Sequence, residues 1–164
     1  MKRQIAIAGI TVLLLALTIL AASPKADFSG TWVMDKTRTE GLPPDIEQTM
    51  TVTQKDDRID VVTKVSGDQG DQTVPVTYVL DGKETEYPAN RMGEGKGKRT
   101  ASWSADGNGF EVSEEENYDT KNGPTKIQFS RKWTMAPDGK TVVIILDIKG
   151  PNGNGTIKRT FVKK

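Results

Sequence analysis

Arginines 99, 131 and 159 are the residues of this chain whose type and spacing suggest chemistry. Each shares the parity of an apolar set: Arg99 with Ala101 and Trp103, Arg131 with Phe129, Trp133 and Met135, Arg159 with Ile157 and Phe161. Residues of like parity share one face of a β-strand. The three guanidinium groups are therefore expected to point inward with the apolar side chains. A buried charge must be partnered or it destabilises the fold. Glu114 can offset one arginine, and Glu116 lies two residues on, on the same face. A positive surplus is left. Guanidinium forks match carboxylates and phosphates. The pattern thus suits the head of an amphipathic anion such as a fatty acid or other acidic lipid. Trp103, Trp133, Tyr78 and Phe161 would lie beside its apolar part. Two other readings stand next to this one. The arginines and Glu114 could form a closed salt-bridge network filling a narrow interior, or a half-wet row at an open mouth that binds nothing in particular.

Other chemistries find little material. The 164 residues include no Cys and no His, which removes thiol nucleophiles, disulfides, imidazole bases and most zinc sites. The serines have no His to activate them. Glu114, Glu115 and Glu116 alternate faces on a strand, so at most two converge, too few for a calcium cage. The segment Gly67-Asp68-Gln69-Gly70-Asp71 offers two carboxylates and reads as a hairpin turn. No carboxylate spacing selects a glycosidase pair. The Gly-rich run Gly93 to Lys98 lacks the strand-to-helix setting of a phosphate loop and reads as a mobile flap. With 23 basic against 22 acidic residues there is no basic excess for nucleic acid. No cofactor, no metal and no enzymatic activity are expected.

The elements that must hold these residues are strands. After residue 22 the chain alternates in twos and is punctuated by Asp81-Gly82, Asp106-Gly107, Asn122-Gly123, Asp138-Gly139 and Asn152-Gly153, all turn dipeptides. Ten strands are predicted, at about 28–34, 46–54, 58–66, 73–80, 83–87, 97–104, 109–119, 125–135, 141–149 and 156–163. Segment 35–45 has room for one short turn before Pro43-Pro44, and loop 88–96 is polar and Gly-rich. If each turn dipeptide is a two-residue loop, the pairing follows. Val112 faces Trp133, Phe110 faces Met135 and Tyr118 faces Ile127. Trp133 faces Ile144, and Met135 faces Val142. Ile144 faces Phe161, and Ile148 faces Ile157. Trp103 faces Phe110, and Val52 faces Val61. Apolar meets apolar on one face. The same pairing sets Arg99, Glu114, Arg131, Leu146 and Arg159 in one cross-strand row. A meander this long hides its edges best by closing, so an all-β, antiparallel up-and-down meander barrel of about ten strands is predicted, with two packed sheets as the alternative. The hairpins around Arg99–Gly107 and Ser130–Gly139 resemble each other weakly, each with an Arg before a Trp and an Asp-Gly turn.

The N-terminus differs in kind. Met1-Lys2-Arg3 is cationic, and Ile5 to Ala22 is apolar except for Thr11 and Thr18. This reads as a signal peptide, residues 1–22, ahead of a domain spanning 23–164 in an exported (periplasmic or secreted) protein. An uncleaved membrane anchor is the alternative.

The first strand, Asp27-Phe28-Ser29-Gly30-Thr31-Trp32, resembles the Gly-x-Trp opening of the calycin superfamily, the lipocalins and fatty-acid-binding proteins. The closing strand, with Arg159 two residues before Phe161, is similar to that of the fatty-acid-binding proteins. The resemblance implies a lipocalin-like barrel, with Gly30 and Trp32 as a structural signature and Arg159 packed over Trp32. The chain departs from these families too. Segment 35–45 is too short for the two helices of fatty-acid-binding proteins, and the chain ends in a strand where lipocalins usually have a helix nearby.

Together these features predict a non-catalytic protein that carries or sequesters a small hydrophobic or acidic lipid. A structural or interaction barrel with a filled interior is the alternative. In that case Val143 and Ile145, outward on the doubly apolar strand 141–149, would be covered by segment 35–45 or would form a homodimer.

Overall fold

The computed structural model describes residues 25–68 and 70–164. The predicted signal peptide or anchor lies outside them. The chain forms ten antiparallel strands and one turn of 3-10 helix. The strands are β1 (Gly30–Met34), β2 (Glu47–Lys55), β3 (Arg58–Ser66), β4 (Gln72–Val79), β5 (Thr85–Ala89), β6 (Gly95–Trp103), β7 (Gly109–Thr120), β8 (Gly123–Met135), β9 (Thr141–Gly150) and β10 (Gly153–Lys163). They make one curled sheet in the order β4-β3-β2-β1-β10-β9-β8-β7-β6-β5. This is the predicted meander barrel.

Its ends in sequence meet at the sheet's centre, where β1 pairs with β10. Its open edges are β4 and β5. No ladder joins them. The seam is crossed by a bridge between Asp81 and Ser102, by a bond from Gly82 N to the Ala101 carbonyl and by Arg99 Nη1 on the Thr77 carbonyl. Both edge strands contain a proline, Pro75 and Pro88. Edges are where a residue without an N–H is tolerated.

Turn chemistry explains where the predicted register holds and where it slips. Trp103 pairs with Phe110, Met135 with Val142 and Val52 with Val61, as predicted. Across β7 and β8, however, Phe110 pairs with Trp133, Val112 with Arg131 and Tyr118 with Thr125. Across β9 and β10, Phe161 pairs with Val142, Arg159 with Ile144 and Ile157 with Leu146. The tight loops there are Lys121-Asn122 and Pro151-Asn152. Gly123 (φ 103°) and Gly153 (φ 110°) open the next strands in the left-handed region. A turn with Gly at its fourth position, Pro second in one case, fits this geometry. The slip is two residues, one full pleat, so every side chain keeps its predicted face.

Segment 35–45 contains the expected single turn, Lys36–Arg38, capped by the Asp35 carboxylate on Thr37 N. It does not lie across β9. It continues the line of β1 along β10, with Asp35 N on the Thr160 carbonyl and Glu40 bridged to Lys158. It buries Thr160 and leaves Ile145 on the outside, 37% exposed.

The expected loop 88–96 and the flap read at Gly93 to Lys98 are smaller than predicted. Gly95 to Lys98 belong to β6, and Ala89 closes β5. These glycines serve packing: a Cβ on Gly97 would run into the Tyr87 ring, and one on Gly95 into Tyr118.

Candidate functional site

The interior is layered. At one end it is sealed by aromatic rings. Phe28, Trp32, Phe110 and Phe161 are fully buried, and Trp133 and Tyr78 nearly so. Phe110 stacks on Trp133 with centroids 5.0 Å apart, and Phe28 meets Phe110 edge-on at 5.2 Å. Trp32 donates its Nε1 to the Phe28 carbonyl at 2.8 Å. Gly30 leaves the space that Lys163 occupies, and the Lys163 ammonium stands 5.2 Å from the Trp32 ring centre. Lys163, not Arg159, is thus the cation over Trp32. The resemblance placed it four residues too early on the strand. Trp103 sits at the rim of this plug, its Nε1 held by Asp57 at 2.9 Å. Asp57 is also ion-paired with Lys25, and hydrogen bonds from Lys25 and then Trp103 hold its carboxyl below the usual range.

Above the plug lies the charged layer. Arg99 donates Nε to Glu114 Oε1 at 2.6 Å. Arg131 Nη1 is ion-paired with Glu114 Oε2, although Arg131 pairs in register with Val112 and Glu114 with Phe129. The one straight row expected from sequence is therefore staggered, and the Glu114–Arg131 contact runs diagonally. The Glu114 side chain is 2% exposed and that of Arg131 12%. Arg99 is further fixed by the faces of Tyr87 and Tyr78, at 4.5 and 5.2 Å.

Arg159 is placed differently. Its Nη1 donates to Gln48 Oε1 at 3.1 Å, a neutral acceptor. Its Nε is buried with no hydrogen-bond partner among the described residues, and so is Trp133 Nε1. The two groups lie at one level of the barrel, since Trp133 and Arg159 both pair with Ile144. Burial, followed by the nearby Arg131 charge, lowers the Arg159 guanidinium to about 10, and burial lowers Arg131 as well. Arg159 still carries its proton at neutral pH. Of three inward arginines, Arg99 and Arg131 thus share the Glu114 carboxylate, and Arg159 has none.

A third layer closes one side of the mouth. Glu116, 2% exposed, accepts from Tyr118 OH at 2.6 Å, Tyr87 OH at 3.0 Å and Arg91 Nε at 3.2 Å. Burial, then the bond to Glu116, pushes the Tyr87 phenol up to about 12. Arg91 also lies 4.8 Å from the Phe129 ring centre, so it ties the short loop before β6 to the barrel. Elsewhere the upper part of the inward face is open. Thr63, Val65, Val74, Ile127, Ile148 and Ile157 have inward parity yet remain partly exposed, Val74 by 43%. By strand alternation and burial the inward face reads as a cup: aromatic base, cationic floor, aliphatic wall. A cleft of about 430 Å³ is lined by Lys98, Ser113, Gln128 and Lys149 together with Glu114 and Phe129, and by no arginine.

Of the residues expected from sequence, Arg99, Arg131 and Glu114 are joined by ion pairs, Tyr78 lies under Arg99 against Trp133, and Arg159 stands apart on Gln48. Trp103 and Phe161 belong to the plug. Gln48, Tyr87, Arg91 and Tyr118 were missed. Gln48 and Tyr87 do share the parity of inward neighbours, Met50 and Ala89, and that signal could have found them.

No family model matches the chain, and no curated protein matches it. Solved structures do. A zebrafish ileal bile acid-binding protein, crystallised with cholic acid, superposes with a TM-score of 0.52 at 16% identity, over 84% of this chain and 98% of its own. A SAHS protein of Ramazzottius varieornatus, an abundant heat soluble protein, superposes with a TM-score of 0.50 at 15% identity, over 87% of this chain and 98% of its own. At such identities the likeness concerns architecture: the chain shares the curled antiparallel β-barrel fold of these two proteins.

Proposed function

We propose that this is an exported, non-catalytic binding protein that holds a small amphipathic acid in its cup. The carboxylate would sit on Arg159 and Trp133 Nε1, with Arg131 beside it, and the apolar tail would rise along Ile157, Ile148, Val74 and Val76. The observation that carries this reading is the pair of buried donors without an acceptor at one level of a floor that has three arginines to one carboxylate. Leaving such donors unmet costs about 1–3 kcal/mol each, more for a charged group, and an anion relieves both. The superposed bile acid-binding protein is named for an amphipathic acid, which supports the same class of ligand.

The test is a titration with dodecanoate followed by calorimetry. Wild type is expected to bind, and Arg159→Met to lose tenfold or more in affinity, on the order of one charge-assisted hydrogen bond. Arg131→Met should weaken binding too. Equal affinity in wild type and Arg159→Met would refute the seat.

A second reading, an interaction protein acting through its outer face, is favoured by the exposure of Ile145 on β9. Sedimentation at rising concentration separates the two, since a dimer weakened by Ile145→Lys would favour it.

A further inference from the structure

The inward charges are not evenly partnered, and the difference turns on one residue. Arg99 and Arg131 have Glu114. Arg91 has Glu116. Arg159, half-buried beside them with its Nε enclosed, has only the amide of Gln48. Gln48 is itself buried, 8% exposed, and lies on β2 next to the Val65 and Val74 wall. A glutamate has the same length and reach. It would give Arg159 an ion pair of the kind Arg99 and Arg131 already have, so a neutral side chain here forgoes a stabilising contact in the empty protein. Buried arginines are ordinarily partnered by carboxylates.

We propose that Gln48 is the specificity-determining residue of the cup: by partnering Arg159 without neutralising it, Gln48 reserves that charge for a carboxylate brought by the ligand, and so makes the site select acidic over neutral amphiphiles. This rests on the carriage reading above and adds to it. Gln48 holds the guanidinium through Nη1, and Nε, like Trp133 Nε1, is left without a partner. The acceptor missing from the protein is then part of the ligand. A neutral alcohol can accept one hydrogen bond there but cannot balance the charge.

The experiment compares dodecanoate with dodecan-1-ol on wild type, Gln48→Glu and Gln48→Met, by calorimetry and thermal unfolding. Wild type should prefer dodecanoate by about tenfold or more, the discrimination of a charge-assisted pair. Gln48→Glu should lose that preference, because its own carboxylate occupies the charge, and should unfold about 3 °C or more higher. Gln48→Met should keep the preference. The proposal is overturned if Gln48→Glu still prefers dodecanoate, if it unfolds at a lower temperature or does not fold, or if Gln48→Met loses as much as Gln48→Glu. If wild type binds neither compound, the carriage reading itself fails, and this inference with it.

Discussion

Replacing Glu114 with glutamine isolates what the charged floor contributes to the fold. The Glu114 side chain is 2% exposed, and it receives Arg99 on one oxygen and Arg131 on the other. Both guanidinium groups are mostly buried, at 17% and 12% exposure, so water cannot replace the lost carboxylate. Breaking a buried pair by removing one partner costs about 3–5 kcal/mol. Glutamine keeps one oxygen acceptor but leaves three inward arginines with no carboxylate in their layer. The upper part of that range is therefore expected. In a domain of this size 1 kcal/mol moves Tm by about 2–4 °C, so a fall of roughly 8–20 °C should follow. Urea unfolding is the assay, with the m value checked for constancy so that the change in midpoint reports stability. Adding Arg131→Met to Glu114→Gln should restore part of the loss, with a coupling of about 0.5–3 kcal/mol. A loss below about 1 kcal/mol in the single variant, or strict additivity in the double, would refute the view that these charges depend on one another.

Gly97→Ala should destabilise the barrel by about 1–3 kcal/mol because the new methyl group meets the Tyr87 ring, and Tyr87→Leu in the same chain should recover part of it in urea unfolding. Arg91→Ala should loosen the loop at 90–94, read as faster hydrogen exchange there with little change at β8, because Arg91 bonds Glu116 and covers Phe129. The Asp35 carboxyl is held at about 2, below its ordinary 3.8, by Thr37 and then Arg38. Its folded value is the lower one, so its contribution is full above about pH 4 and is lost as pH falls towards 2. An NMR titration of the Thr37 amide should follow that curve and flatten in Asp35→Asn.

The strands were legible because alternation over five to thirteen residues is a strong signal and each run is bounded by turn residues. Faces were legible for the same reason, which is why Arg131 and Arg159 could be assigned inward before any coordinates. The register at Asn122-Gly123 and Asn152-Gly153 was not. Moving the loop back by one residue shifts pairing by a whole pleat and leaves the apolar pattern unchanged, so nothing in the pattern opposes it. The diagonal Glu114–Arg131 contact was hidden for this reason. Arg91 lies in a loop, where parity says nothing of direction. Lys163 took the place implied for Arg159 because the last pairs of β10 with β1 begin at Trp32, which only the coordinates fix.

The junction of β1 with β10 has a further consequence, for the order in which the molecule assembles. Strands β2 to β4 and β5 to β10 are each strings of neighbours in sequence and can form locally. The centre of the sheet joins residues 32–34 to 161–163, more than a hundred residues apart, and contacts of such separation are slow to find. The middle of the sheet is therefore the last seam to close during folding. Trimming a few residues from the C-terminal end, ordinarily a harmless change, would here cut the barrel through its centre and free the aromatic plug that Phe161 completes.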